Sequence, residues 1–235
     1  MKGWPGEPEM QHDVMVAQDE ASESSGKPIT DVIFDFGNVL VYWDPEAVLI
    51  PRYDQSIVDQ FLDNEISGFY DANDQMDGGA SLEEGYAFVK NKHGEYWADV
   101  MQYYLDNFVD SLTGVVPGAR VLINDLRKAG IRVWGLSNWQ QDLYHIAEDR
   151  FEILHDLDGK VISGNVKMRK PHKEIFEYAL NAFGIDASGA VFIDDKAMNI
   201  VGANAAGIRG IRFADPRALR EVLIEAGLPI PPVVR

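Results

Sequence analysis

The sequence predicts an α/β fold: a Rossmann-like parallel sheet with helices on both faces and an inserted helical cap domain. Three observations predict it. Short apolar runs that end in Asp, Gly or Ser recur along the chain, as strands buried on both faces do. Helical apolar patterns closing on a glycine lie between those runs. One stretch, 45–114, directly after the first strand, breaks the alternation and is helical in pattern.

Taken in order, residues 1–27 are polar and acidic, with no apolar core before a cleavage site, and are expected to form a disordered leader. The core domain is expected over 28–44 and 115–235, with the cap domain over 45–114. Val32-Ile33-Phe34 reads as a buried parallel strand ending at Asp35. Inside the insert, the turn Asp77-Gly78-Gly79 precedes Ser81 and Glu84, spaced as a capping box. The insert's many aromatics fit helix cores. Val116-Pro117-Gly118 returns the chain to the core, so two short connections are expected to hinge a moving lid.

Beyond the insert, Ala119–Lys128 carries one apolar face and ends near Gly130, expected at C′. Strands follow at Arg132–Leu136, Val191–Ile193 and Gly210–Phe213. Helices are expected at Lys173–Phe183, before Gly184, and at Ile200–Ala206, before Gly207.

Composition narrows the function. The 235 residues are 46% hydrophobic, which supports a sizeable core and excludes a disordered chain. With 38 acidic against 21 basic residues, the net charge of −17 opposes nucleic acid and anionic membrane as partners. A small anionic metabolite is still admissible, because charges are screened over about 8 Å and local groups decide. No apolar run approaches the roughly 18 residues of a membrane span. The absence of cysteine excludes disulfides, thiolate metal sites and cysteine nucleophiles, and fits a cytoplasmic protein.

Ligands of open parallel sheets bind beyond the carboxyl ends of the strands. The residues there are Asp35, Ser137-Asn138 and Asp194-Asp195, joined by Lys170 before Pro171. Each has an ordinary reading when taken alone. Asp35 fits a turn, Ser137-Asn138 a helix cap, Lys170 a solvated lysine and Asp194-Asp195 surface charge. On one sheet edge together, they make a site for a cation and a transferring anion.

VIFDFGNVL, GLSNW, MRKPHKEIF and VFIDDKAMNIVGANAAGI resemble, in order and spacing, the four motifs of the haloacid dehalogenase superfamily. The resemblance covers about Asp31 to Phe213, and the insert falls where that family places its first cap. It implies that Asp35 is the nucleophile, that Ser137 and Asn138 bind the transferring group, and that Lys170 orients and neutralises Asp35. It also implies a Mg²⁺ ion held by Asp35, the Gly37 carbonyl, Asp194 and Asp195.

One position departs from the common pattern. Most phosphatases of the family read Asp-x-Asp-Gly-Thr, and here Gly37 replaces the second Asp, so the usual general acid is missing. The closest branch reads Asp-x-Gly-Gly/Asn-Val and includes sugar-phosphate phosphatases. The implied function is a Mg²⁺-dependent phosphatase of a small phosphorylated metabolite, such as a sugar phosphate, through an aspartyl-phosphate on Asp35. Two alternatives stay open: a metal-free 2-haloacid dehalogenase acting on a halogenated metabolite with the same Asp35, and a non-catalytic binding protein of this fold. Keeping Asp194-Asp195 favours phosphate chemistry, since the dehalogenases use no metal. Asp44, in VYWDP, is a candidate for the missing acid beside its ordinary reading as a cap before Pro45. Glycine at 37 also admits a positive φ that Asp would tolerate poorly.

Overall fold

The computed structural model describes residues 27–232; all of the expected leader except Lys27 lies outside the described residues. Seven strands are present among them: β1 (Asp31–Phe34), β2 (Val41–Trp43), β3 (Leu112–Val115), β4 (Arg132–Ser137), β5 (Gly159–Ile162), β6 (Ala190–Asp194) and β7 (Arg209–Arg212). Five make one parallel sheet in the order β5-β4-β1-β6-β7. The chain fills one side of β1 first and then the other, so β1 lies at the switch point where such sheets open a ligand crevice.

Alternation along the central strands explains why the sheet is covered twice. Val32, Phe34, Val133, Val191 and Ile193 enter one apolar cluster, with the helices Ala119–Lys128 and Pro216–Glu225. Ile33, Trp134, Leu136 and Phe192 enter the other, with the helices Lys173–Phe183 and Ala197–Ala205. Both sets are buried, which is why these strands read as unbroken apolar runs. Gly130, Gly184 and Gly207 adopt positive φ, as expected of residues that end helices.

The insert holds six short helices, from Pro45–Leu49 to Glu95–Asp106, and the expected Ser81–Glu84 capping box is formed. Its interior is aromatic. Phe69 packs 4.7 Å from Phe61 and 5.0 Å from Tyr104 between ring centres, and Trp43 Nε1 donates to Tyr104 Oη at 2.9 Å. Among the described residues no helix is long and apolar enough to cross a membrane.

Three expectations are corrected, and two elements are added. The insert is not helical to Gly114: it closes on a 3₁₀ turn, Phe108–Ser111, and on β3, which pairs antiparallel with β2. Edge strand β5 and the helix Gln141–Arg150 carry weak sequence signals and were not anticipated. The last strand-to-strand helix starts at Ala197, not Ile200. Finally, the insert does not rest on the core as a freely hinged lid. Its apolar interior is continuous with one face of the sheet, and Phe108 packs edge-on against Trp139 at 6.4 Å. Swinging it away would expose that shared core to water.

Candidate active site

Asp35 lies one residue beyond β1, where its N–H still donates to Ile193 O at 2.8 Å. The sheet pairing thus holds its backbone while its side chain is at the carboxyl edge. Ser137 ends the neighbouring strand β4, and its Oγ donates to Asp35 Oδ1 at 2.9 Å. Gly135 makes this approach possible. A Cβ there would lie 2.3 Å from the Phe36 ring, which packs beneath β4 and seats the loop carrying Asp35.

Lys170 arrives from the loop before the helix Lys173–Phe183 and is only 3% exposed. Its Nζ lies 2.8 Å from Asp35 Oδ1 and 2.7 Å from Asp194 Oδ2, and donates to Leu136 O at 3.1 Å. Burial alone would lower the ammonium's pKa, but Asp194 and Asp35 overcome this and hold it above the ordinary lysine value. Lys170 is therefore cationic at neutral pH. The side chain of Asn138 clamps the Lys170 backbone from both sides, donating to its carbonyl at 2.9 Å and accepting from its N–H at 2.8 Å. Asn138 was expected beside the transferring group through its backbone amide; its side chain has the separate task of holding Lys170. Gly202 packs as closely on the far side, where a Cβ would lie 2.2 Å from Pro171 O.

The acidic pair divides its work. Asp194, fully buried at the end of β6, accepts from Lys170, from the Lys196 N–H at 2.8 Å and from Asn199 Nδ2 at 3.0 and 2.9 Å. Burial pushes its carboxyl up, against the pull of Lys170. Asp195 is differently placed: its Oδ1 is buried with no hydrogen-bond partner. Burial first, then the charges of Asp35 and Asp194, push its pKa up to about 7.

One carboxylate oxygen each from Asp35, Asp194 and Asp195 lies within 4.8 Å of the others. Three carboxylates this close repel, and an orphaned buried oxygen costs free energy unless something pairs with it. A hard divalent cation with oxygen ligands fits both features. Asp35 and Asp195 could hold such a cation, with the Gly37 carbonyl on the same loop as Asp35, while Asp194 already accepts from Lys170 and Asn199.

Asp44 is not brought into this cluster. It is exposed and caps the helix Pro45–Leu49, its Oδ1 accepting from Glu46 N–H at 3.0 Å. Two residues escaped the sequence reading. Asn199 braces Asp194 from five positions along the chain, a spacing within the fourth motif that was there to be used. Asp77, at the end of the insert helix Phe69–Asp77, reads in sequence only as part of a Gly-rich turn.

The haloacid dehalogenase-like hydrolase family model matches residues 31–207. The chain belongs to that family.

Its relatives include the drimenol cyclase of Aspergillus calidoustus, 25% identical over 77% of this chain and 33% of the relative. The sesquiterpene phosphatase of Aspergillus oryzae is 33% identical over 43% of this chain and 53% of its own length. The glyceraldehyde 3-phosphate phosphatase of Pyrococcus abyssi is 33% identical over 42% of each chain. The chain thus spans from a third to about half the length of these curated relatives. Among solved structures, a HAD family enzyme of Bacteroides thetaiotaomicron in complex with magnesium and inorganic phosphate superposes with a TM-score of 0.59. It is 22% identical, over 80% of this chain and 95% of that one. The L-2-haloacid dehalogenase of Xanthobacter autotrophicus superposes at 0.57 with 18% identity, over 85% and 84%. At these identities the superpositions speak for the fold.

Proposed function

We propose that the chain is a Mg²⁺-dependent phosphatase of a small phosphorylated metabolite, such as a sugar phosphate, working through an aspartyl-phosphate on Asp35. The observation that carries this reading is the partnerless buried Oδ1 of Asp195 beside Asp35 and Asp194. A metal-free dehalogenation would leave that oxygen and the clustered charge without a purpose. A bound Mg²⁺ would neutralise the carboxylates and draw a phosphate's non-bridging oxygens into place. That two of the relatives are phosphatases supports the same reading.

The chain's own residues then divide the reaction. Ser137 and Lys170 both engage Oδ1 of Asp35, so the carboxylate cannot rotate without losing a partner, and Oδ2 is presented for attack on phosphorus. The Lys170 ammonium stays within reach throughout and meets the negative charge that collects around Asp35. As the Oδ2–P bond forms, the bond from phosphorus to the leaving oxygen breaks, and that oxygen takes up a proton. Water then attacks phosphorus, the Oδ2–P bond breaks, and phosphate departs with Asp35 restored.

The dehalogenase reading uses the same Asp35 on carbon and has the absence of a second Asp at Gly37 in its favour. Chelation separates the two. We expect p-nitrophenyl phosphate to be hydrolysed with Mg²⁺, EDTA to abolish that activity, and 2-chloropropionate to release no chloride. Chloride release that persists in EDTA, without phosphatase activity, would replace this proposal by the dehalogenase. Silence on both substrate panels would favour the binding protein.

A further inference from the structure

We propose that Asp77, carried on the insert, is the general acid and base that replaces the carboxyl missing at Gly37. The inference rests on the phosphatase reading and adds the residue that handles the leaving-group proton.

Three loops at the carboxyl edge of the sheet converge on Asp77. From the loop after β4, the Gln140 N–H donates to its carboxylate. From the loop after β6, the Lys196 ammonium acts on it electrostatically, as does the Asp35 carboxylate after β1. Its backbone is fixed as well. Ser163, just after β5, donates from Oγ to Asp77 O at 2.6 Å while accepting from Trp139 N–H at 2.9 Å. One turn earlier on the same helix, Asp74 pairs with Arg169 at 2.8 Å, next to Lys170. Asn73 Nδ2 donates to Asp77 Oδ2 at 3.1 Å. The end of an insert helix is thus moored to the core at the motif loops, and a carboxyl group is held there, within electrostatic reach of the nucleophile. A helix end that merely needed a stop would not require a half-buried acid at that place.

Its protonation suits the role. Burial is the largest influence, Lys196 pulls the other way, and the neighbouring Asp74 and Asp35 add to the rise, placing the pKa at about 7. Asp74 is itself paired with Arg169, and the remaining titratable neighbour, Tyr104, is buried and pushed well above its ordinary range, so it stays neutral. A metal beside Asp35 would cancel that carboxylate's contribution and leave the larger effect of burial. An acid with a pKa near the working pH is the efficient one.

The proton balance closes over the two steps. Protonated Asp77 gives its proton to the leaving oxygen as the phosphorus–oxygen bond breaks, and becomes a carboxylate. That carboxylate takes a proton from water as the water oxygen attacks the phosphorus of the aspartyl-phosphate. Asp35 leaves as a carboxylate and Asp77 ends protonated.

The test compares phenyl phosphate, whose leaving group needs a proton, with 2,4-dinitrophenyl phosphate, whose leaving group does not. In the wild type with Mg²⁺, the ratio of the two kcat/KM values, which report the transfer to Asp35 and not the shared hydrolysis of the aspartyl-phosphate, should fall as pH rises through about 7. In kcat/KM, Asp77→Asn should lose about 10²–10⁴-fold on phenyl phosphate, the usual contribution of a general acid, and at least a hundredfold less on the dinitrophenyl ester. Asp77→Glu should restore part of the difference. Equal losses on both esters, or a wild-type ratio that ignores pH, would overturn the assignment and make Asp77 a mooring residue. The wild-type ratio decides the matter even if Asp77→Asn fails to fold. Should the wild type hydrolyse neither ester with Mg²⁺, the phosphatase reading itself falls, and this one with it.

Discussion

Lys170 Nζ lies 2.8 Å from Oδ1 of Asp35, and the same oxygen accepts the hydroxyl of Ser137 at 2.9 Å. One ammonium thus holds both the nucleophile and, at 2.7 Å, Asp194. Replacing it by Met keeps the volume and removes the charge, so two buried carboxylates lose their counter-ion. We expect Lys170→Met to cost roughly 3–5 kcal/mol of stability, the usual penalty for breaking a buried pair from one side. Hydrolysis of p-nitrophenyl phosphate should fall by about 10²–10³-fold, as when one preorganised donor is lost. Thermal denaturation and kcat measured together test this, and activity within tenfold of wild type would remove Lys170 from the chemistry.

Asp35→Asn should do the opposite to stability. The amide keeps the volume and its carbonyl can still accept from Ser137, while one of three crowded charges disappears. Turnover should vanish, because an amide is a poor nucleophile. A folded variant with more than a few per cent of wild-type activity would show that no covalent bond to Asp35 is made.

The third prediction concerns pH and metal. Asp195 has a folded pKa of about 7 against an ordinary value of 3.8. Between those values the native state binds more protons than the unfolded one, so stability contributed by this group falls as pH rises from about 4 to about 7. Mg²⁺ binding replaces the proton. Added Mg²⁺ should therefore raise the melting temperature more at pH 8 than at pH 5. Asp195→Asn, free of metal, should melt above wild type at pH 8 and no longer respond to Mg²⁺. A Mg²⁺ response that is the same at both pH values would contradict a cation held by Asp195.

How much of this was legible follows from where each signal resides. β1, β4 and β6 were readable because strands buried on both faces have no polar residues to blur them, as in Val32-Ile33-Phe34 and Val191-Phe192-Ile193. Their ends carry Asp35, Ser137 and Asp194, so the core of the site was readable with them. β5 was not, since Gly159-Lys160-Val161-Ile162 is an edge strand with half its length accessible to solvent. The clamp that Asn138 places on Lys170 was not readable, because local sequence cannot show that a side chain will bind the backbone 32 residues away. Asp77 was invisible for the same reason. Its surroundings come from Gln140, Ser163 and Lys196, and only the folded chain assembles them.

The last prediction turns on Gly37. A glycine at this position would be obligatory if its backbone were left-handed, but positive φ falls on the next residue, Asn38, at 59°. A Cβ built on Gly37 meets nothing within 4 Å. The expectation that backbone strain protects this glycine is therefore corrected, and an Asp can be accommodated there. On the same loop as Asp35, such a carboxyl would be positioned to act as a general acid. If Asp77 already supplies the acid, Gly37→Asp alone should change phenyl phosphate hydrolysis by less than about tenfold, because protonation of the leaving group is no longer the missing step. In the Asp77→Asn background the same substitution should recover at least about tenfold of the lost activity on phenyl phosphate and little on the dinitrophenyl ester. A large gain from Gly37→Asp in the otherwise wild-type chain would mean that the acid had been absent all along. In that case Asp77 holds the insert in place and the chain works best on esters whose leaving groups need no proton.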